Sequence, residues 1–393
     1  TWFERGAAYV SKQYMELLEE SHEVFIYARG GEKYAKNNSN WDGGNIHWGK
    51  KDIFQLKATP IHRSDFENWI DRCEVEVLLF NEQQWWEPIL WAKKKNILVG
   101  AYIDYYTKDT VLLFEIYDFL ICNTKRHFSV FNWHKQCYYL PWGTDTNLFR
   151  PQNKNIKDED KVVFFNSSGY NQDRKGVDKL LKAFYNLKSK DKKLILHSQI
   201  NLTTYYKELT PIITSLINNE ELEIISDTVT APGLYHLGDV YCYISKLDGI
   251  GLTLIEAISC GLQSIVPDNA PMNEFIDESI NGKLVKVDSY QYRKDGYYWP
   301  ENNVNTNDLE NKMLYYLENK DKIKKMKKDS RLYAEKYLNW LDRKEELSNI
   351  FKTVKPNKTN SNIESKILSY ESKMTKSLSL YEIIKIVYKT IKR

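Results

Sequence analysis

Several features that would name a class outright are missing from this chain of 393 residues. No apolar run approaches the roughly 18 residues a membrane-spanning helix needs. The five cysteines (Cys73, Cys122, Cys137, Cys242 and Cys260) are odd in number and show no C-x-x-C spacing. Most stand beside apolar residues, which fits small core side chains in a reducing compartment better than a disulfide framework. The seven histidines include no H-x-x-x-H pair, and no serine sits in G-x-S-x-G, so zinc and serine-hydrolase chemistry have no support. The one acidic triplet, Asp158-Glu159-Asp160, lies in a polar stretch with no partner to converge on a hard cation, so no metal site is expected. Charge of one sign is also lacking. Against 56 basic residues stand 53 acidic ones, a net of +3 that points to no nucleic-acid partner. The small excess is concentrated: residues 355–393 hold nine Lys/Arg and three Asp/Glu, net +6, leaving −3 for the rest.

With 42% hydrophobic and 28% charged residues, the composition is that of a globular protein long enough for two domains and an appendage. Residues 6–20 place Ala7, Val10, Tyr14, Leu17 and Leu18 at helical spacing, and HEVFIYARGG then reads as a short buried strand. DFENWIDRC before VEVLLF, WWEPILWAKKK before ILVGAYID and TVLLFEIY before DFLICN repeat the alternation. Strands separated by helices imply βαβ units and a parallel sheet. Because this first sheet starts with a helix, a strand preceding Trp2 is expected. PWGTDTNLFRPQNKNIKDEDK (141–161) reads as a linker. Beyond it KVVFFNSS, GVDKLLKAFYNLKSK, KKLILHS, YYKELTPIITSLINN, LEIIS, APGLYHLG, DVYCYIS, LTLIEAISCG and LQSIVPD restart the pattern. The reading is α/β: an N-terminal Rossmann-like domain over 1–147 and a second over 148–330, with the strand ends expected to face a cleft. A helix over 331–355 is expected to return toward the first domain, and 356–393 reads as a basic amphipathic tail.

The chemistry concentrates in DVYCYISKLDGIGLTLIEAISCGLQSIVPDNAPMNEFI (239–276), read as strand, glycine loop, helix and strand. Gly249 and Gly251 permit close backbone approach, and the amides of Gly251, Leu252 and Thr253 open the helix as an anion site suited to a diphosphate. Glu256, one turn in, can accept two hydrogen bonds from a ribose diol. Asp248, in the loop, can contact a sugar hydroxyl or stabilise positive charge. A dinucleotide G-x-G-x-x-G reading fails because Leu254 stands at its third glycine.

This segment resembles the E-x7-E signature of retaining glycosyltransferases of the GT-B fold, family 4, with Asp248 in place of the first glutamate. LPWGTDTNLFRP (140–151), RKGVDKLLKAF (174–184) and SINGKLVKV (279–287) resemble further motifs of that family, in the same order. The resemblance implies two Rossmann-like domains facing a cleft, C-terminal helices, and a nucleotide-sugar donor, UDP- or GDP-linked, as substrate with no cofactor or metal. It implies that Lys175 and Arg174 neutralise the departing diphosphate, Glu256 holds the ribose and Asp248 meets the transferred sugar. Gly249, Gly251, Leu252 and Thr253 would line the donor pocket, and Gly6 resembles the small-residue helix start near it. The family's Gly-Arg after the first strand of the second domain is absent in NSSGYNQDRKG, so either Arg174 replaces that cation or phosphate binding is weaker. Its histidine after a first-domain strand is replaced in GAYIDYYT, where Asp104 is the candidate catalytic or acceptor-binding group, with a turn or capping role equally open.

Glu82 and Trp85, in FNEQQWWEPILW, are candidates to bind a glycan or lipid-linked acceptor, although core packing competes for the tryptophan. Leu380, Ile383, Ile384, Val387 and Ile391 fall on one helical face near the C-terminus. Residues 376–393 therefore read as a peripheral membrane contact or as a helix packed on protein. The expected setting is cytoplasmic, at the inner face of a membrane if the tail binds one, in synthesis of a cell-surface polysaccharide or glycoconjugate. A catalytically silent subunit of the same fold and a sugar-nucleotide epimerase remain as alternatives.

Overall fold

The computed structural model describes residues 2–29, 34–50, 59–152, 160–357 and 361–376. The chain divides into two compact units. The first comprises the residues up to Asn123, His127–Pro141 and those from Arg343 on; the second comprises Thr124–Arg126 and Trp142–Asp342. Residues 331–342, expected in a helix returning to the first domain, stay with the second unit, and the return starts at Arg343.

In the first unit the helix read over 6–20 is α1 (Gly6–Leu18), amphipathic, with Val10, Tyr14 and Leu17 buried. Strand β1 (Ile26–Ala28) pairs in parallel with β2 (Ile46–Trp48), which the sequence pattern did not reveal because three residues carry no period. After α2 (Arg63–Arg72) comes a parallel sheet of β3 (Val77–Asn81), β4 (Leu98–Tyr102), β5 (Phe119–Cys122) and β6 (Cys137–Tyr139), in that order. Between β3 and β4 lies α3 (Glu87–Lys93), and between β5 and β6 lies α4 (Lys125–Phe131). TVLLFEIY is a tight 3-10 helix over Val111–Ile116 rather than an α-helix.

The second unit carries six parallel strands: β7 (Val162–Gly169), β8 (Lys192–Ser198), β9 (Leu222–Ile225), β10 (Val240–Cys242), β11 (Gln263–Pro267) and β12 (Gly282–Val285). Their order is β12-β11-β10-β7-β8-β9, a doubly wound sheet whose direction of winding reverses between β7 and β10. Helix α5 (Val177–Asn186) follows β7, and its Leu180, Leu181 and Phe184 are fully buried against that sheet. YYKELTPIITSLINN splits into α6 (Leu202–Tyr205) and α7 (Thr210–Asn218), because Pro211 starts a new helix. APGLYHLG holds only a single short 3-10 helix, over Tyr235–Leu237. Helix α8 (Leu252–Ser259) links β10 to β11. A hairpin of β13 (Val287–Gln291) and β14 (Glu301–Val304), absent from the sequence reading, precedes α9 (Thr306–Glu318) and α10 (Ile323–Tyr337).

The chain re-enters the first unit with α11 (Lys344–Thr353) and α12 (Ser361–Lys376). The first part of the supposed tail is thus part of the body. Ile363 and Ile367 are buried, and the Glu371 carboxylate accepts the amide of Trp86 at the start of α3 at 2.8 Å. Residues 377–393, which hold the apolar face proposed to meet a membrane, lie outside the described residues, as do Asp158 and Glu159. Among the described residues no helix is long and apolar enough to cross a membrane. All five cysteines are free; Cys122 and Cys137 approach at 3.7 Å between sulfurs without a bond.

Candidate functional site

The two loops that leave the C-terminal ends of β7 and β10 meet where the winding of the second sheet reverses, the place where doubly wound sheets bind ligands. They are locked together by backbone contact. The amide of Lys246 donates to the Arg174 carbonyl at 2.7 Å. Gly176, at φ +64°, lies so close to the end of β10 that a β-carbon there would stand 2.2 Å from the Ile244 carbonyl oxygen. Only glycine allows that approach and that backbone angle together. From β14 the buried Asn302 donates its side-chain amide to the carbonyls of Ser245 (3.0 Å) and Lys246 (2.7 Å), fixing the loop from the other side.

This scaffold gathers one compact ionic cluster. The Oδ2 atom of Asp248 accepts from Arg174 Nη1 at 2.9 Å and from Lys175 Nζ at 2.8 Å. It also accepts a short hydrogen bond from the Tyr243 hydroxyl, which in turn accepts from Lys175 at 2.8 Å. Burial pulls the Lys175 ammonium down to about 8 against the attraction of Asp248, and Arg174 beside it adds to the fall. Burial pushes the Asp248 carboxyl up, but the two cations outweigh that and hold it well below the usual carboxylate range. The aspartate is therefore ionised at any working pH, and the lysine is the softer partner. Two cations share one carboxylate, which leaves an excess positive charge beside a helix start.

That helix is α8. Its N-cap, Gly251, adopts φ +95°, a left-handed turn into the helix. Leu254 and Ile255 donate back to the Gly251 carbonyl, whereas the amides of Gly251, Leu252 and Thr253 meet no protein acceptor among the described residues. Glu256, one turn further, accepts from the Tyr235 hydroxyl at 2.5 Å. Burial raises its carboxyl to about 7, since that hydrogen bond and the more distant Lys175 only partly compensate. The Tyr241 hydroxyl donates to Thr253 Oγ1 at 3.0 Å, and the Tyr241 ring stacks on that of Tyr243.

Arg174, Lys175, Asp248, Gly249, Gly251, Leu252, Thr253 and Glu256, singled out separately in the sequence, thus come from two adjoining loops and one helix of a single unit. The sequence reading missed Tyr235, Tyr241 and Tyr243, whose hydroxyls bond Glu256, Thr253 and the Lys175–Asp248 pair respectively. The signal was present in D-V-Y-C-Y: tyrosines two apart on a buried strand share a face, and each buried hydroxyl needs a partner. Asp248 also holds a place the sequence did not foresee, as counter-ion of both cations. The remaining candidates belong to the first unit. Gly6 is the exposed first residue of α1, and Asp104 follows β4. Glu82 follows β3 in a left-handed conformation, φ +52°. Trp85 is 2% exposed, edge-on to Trp91 at 5.0 Å, so its face is taken up by the core and not open to an acceptor.

Residues 148–333 match the family described as glycosyl transferases group 1. No curated protein sequence matches the chain. Among solved structures, HepE from Anabaena in complex with UDP is 13% identical, with a TM-score of 0.68 over 90% of this chain and 98% of its own. A glycosyltransferase from Rickettsia africae is 15% identical, TM-score 0.67, over 87% and 93%. Sucrose-phosphate synthase from Thermosynechococcus elongatus is 14% identical, TM-score 0.66, over 88% and 93%. The chain therefore has the GT-B fold, and the stretch similar to glycosyl transferases group 1, residues 148–333, lies within its second unit.

Proposed function

We propose that the protein is a retaining glycosyltransferase that moves a sugar from a nucleoside-diphosphate donor to a glycan or lipid-linked acceptor. The observation that carries this reading is the Arg174–Lys175–Asp248 cluster set beside the first amides of α8, with Glu256 one turn in. Such a site offers a diphosphate two cations and a helix N-terminus, and offers a ribose diol a carboxylate. HepE, of the same fold, has been solved with UDP and with UDP-glucose, which favours a uridine donor as the first to try.

In this reading the Lys175 ammonium and the amides of Gly251 and Leu252 stabilise the charge that grows on the diphosphate as the anomeric carbon–oxygen bond breaks. Arg174 supplies a second positive charge, so the protein itself provides what a metal ion would provide. Asp248, already ionised, balances Lys175 and faces the positive charge that develops on the sugar. The acceptor hydroxyl attacks the anomeric carbon from the side the phosphate leaves, and its proton passes to the departing phosphate oxygen. One bond to the anomeric carbon forms as one breaks, with configuration retained and without a covalent enzyme intermediate.

The test is turnover of UDP- and GDP-linked hexoses, by transfer or slow hydrolysis, in the wild type and two variants. Lys175→Ala and Glu256→Ala are each expected to lower kcat/KM at least tenfold, or about 1.4 kcal/mol in the barrier. Unaltered activity in both would refute the site. Undetectable donor binding by calorimetry would favour a silent subunit, and an epimeric sugar nucleotide as product would favour an epimerase.

A further inference from the structure

Tyr241 stands in the middle of β10 and is fully buried, yet it carries a hydroxyl there. Its ring is held by those of Phe165 and Tyr235, each 5.8 Å away between centroids, and by that of Tyr243 at 5.7 Å. A phenylalanine would pack in the same way, and burying a hydroxyl is unfavourable unless it is hydrogen-bonded. Among the described residues the one acceptor of its proton is Thr253 Oγ1, at 3.0 Å. The direction of this bond follows by elimination. If Thr253 donated instead, the phenol proton would be buried with nothing to accept it. Thr253 Oγ1 is therefore the acceptor, and its own proton goes elsewhere.

A threonine within a helix commonly gives that proton to the carbonyl three or four residues back. Among the described residues the Thr253 hydroxyl makes no such bond, and the Thr253 amide has no acceptor either. The residue is half-buried in the first turn of α8. Its oxygen accepts from the buried ring of Tyr241, so its proton lies on another corner of that oxygen, away from the ring. One residue thus offers two neutral donors, N–H and O–H, at the start of the helix. They complement Arg174 and Lys175, whose charge is shared with Asp248.

We propose that Tyr241 is a positioning residue of the donor site: by donating to Thr253 Oγ1 it commits the threonine proton to a phosphate oxygen of the nucleoside diphosphate. This rests on the function proposed above. Without the Tyr241 hydroxyl the Thr253 hydroxyl is free to turn, and the diphosphate meets a donor that has first to be reoriented. Tyr243, stacked on Tyr241, holds the Lys175 ammonium through its own hydroxyl. One stacked pair of rings therefore sets a neutral and a charged donor for the same ligand.

Binding of UDP and GDP by calorimetry, and of uridine and guanosine by ligand-observed NMR, tests this in the full chain. Tyr241→Phe should weaken binding of the preferred diphosphate about three- to tenfold. Binding of the matching nucleoside, which lacks the acceptor, should not change. Thr253→Ser keeps the hydroxyl and should bind as the wild type does, whereas Thr253→Val should lose at least as much as Tyr241→Phe. Adding Tyr241→Phe to Thr253→Val should weaken binding no further, because the tyrosine acts through the threonine. Equal losses for diphosphate and nucleoside would overturn the proposal and leave Tyr241 a packing residue. Undiminished diphosphate binding in Tyr241→Phe, or a loss that persists in full on Thr253→Val, would overturn it too. A wild type that binds neither diphosphate overturns the proposed function and this inference with it; a wild type that binds while Tyr241→Phe binds equally well overturns this inference alone. Should Tyr241→Phe not fold, the threonine variants decide. The proposal then stands on diphosphate affinity kept by serine and lost by valine with the nucleoside unaffected, and falls on any other pattern.

Discussion

The site contains two groups whose titration brackets neutral pH, and this makes donor binding a sensitive reporter. Burial pushes Glu256 up to about 7 and pulls Lys175 down to about 8. If a ribose diol needs the carboxylate and a diphosphate needs the ammonium, the binding-competent form is Glu256 ionised and Lys175 protonated. The signs follow directly. Glu256 is raised, so it holds its proton until the pH climbs through about 7, and affinity is lost below that point. Lys175 is lowered, so it gives up its proton above about 8, and affinity is lost there too. At pH 7.5 the two incompetent forms together cost less than about twofold in affinity. At pH 6 protonated Glu256 costs about elevenfold, so Kd should rise about sixfold between the two, close to 1 kcal/mol. At pH 8.5 unprotonated Lys175 costs about fourfold, so Kd should be about two- to threefold above its value at pH 7.5. Calorimetric titration with UDP-glucose at constant ionic strength reads this, since its diphosphate diester does not titrate across the range. Glu256→Gln should bind more weakly at pH 7.5 and lose the acid limb while keeping the basic one. A flat profile in the wild type, or an acid limb that survives in Glu256→Gln, would refute the assignment of Glu256 to the ribose.

Three further outcomes are expected. Tyr243→Phe removes a hydroxyl that bonds both Lys175 and Asp248, so the basic limb of the same profile should move to lower pH; an unmoved limb would mean the hydroxyl does not support the ammonium. Gly176→Ala places a β-carbon against the Ile244 carbonyl, which should destabilise the second unit by about 1–3 kcal/mol in urea unfolding and weaken donor binding with it; a neutral effect on both would show that the two loops are not locked there. Asp118 is fully buried, ion-paired with Lys93 at 2.5 Å and accepting the amides of Val99 and Asn357. Asp118→Asn leaves that lysine unpaired and should cost the first unit about 3–5 kcal/mol, read as a lowered unfolding midpoint.

What could be read in advance follows from how locally each feature is encoded. Helix α5 and strands β7, β8 and β11 announce themselves because many consecutive residues repeat a period against one core. Strand β2 and the hairpin of β13 and β14 do not, being held by pairing with distant segments. Residues 361–376 read as part of a basic tail because their lysines dominate the composition, while the contacts that dock α12 rest on Ile363, Ile367 and one carboxylate. The same distinction governs the site. The loop of 248–251 and the helix after it are continuous in sequence, so the turn and the start of α8 were legible from its glycines. Lys175 and Asp248 lie 73 residues apart, and their pairing depends on a glycine at 176 that admits the Ile244 carbonyl and on Asn302 bracing the loop from β14. Nothing near residue 248 in the chain specifies that geometry. Its consequence is chemical: both cations are already neutralised in part by Asp248, so in the proposed function a donor has to share them. Binding is then weaker than two free cations would give, while the lysine stays held in place by its carboxylate and the Tyr243 hydroxyl. In the proposed function, charge that grows on the leaving phosphate then meets a preorganised ammonium, and the interaction strengthens most where the barrier lies.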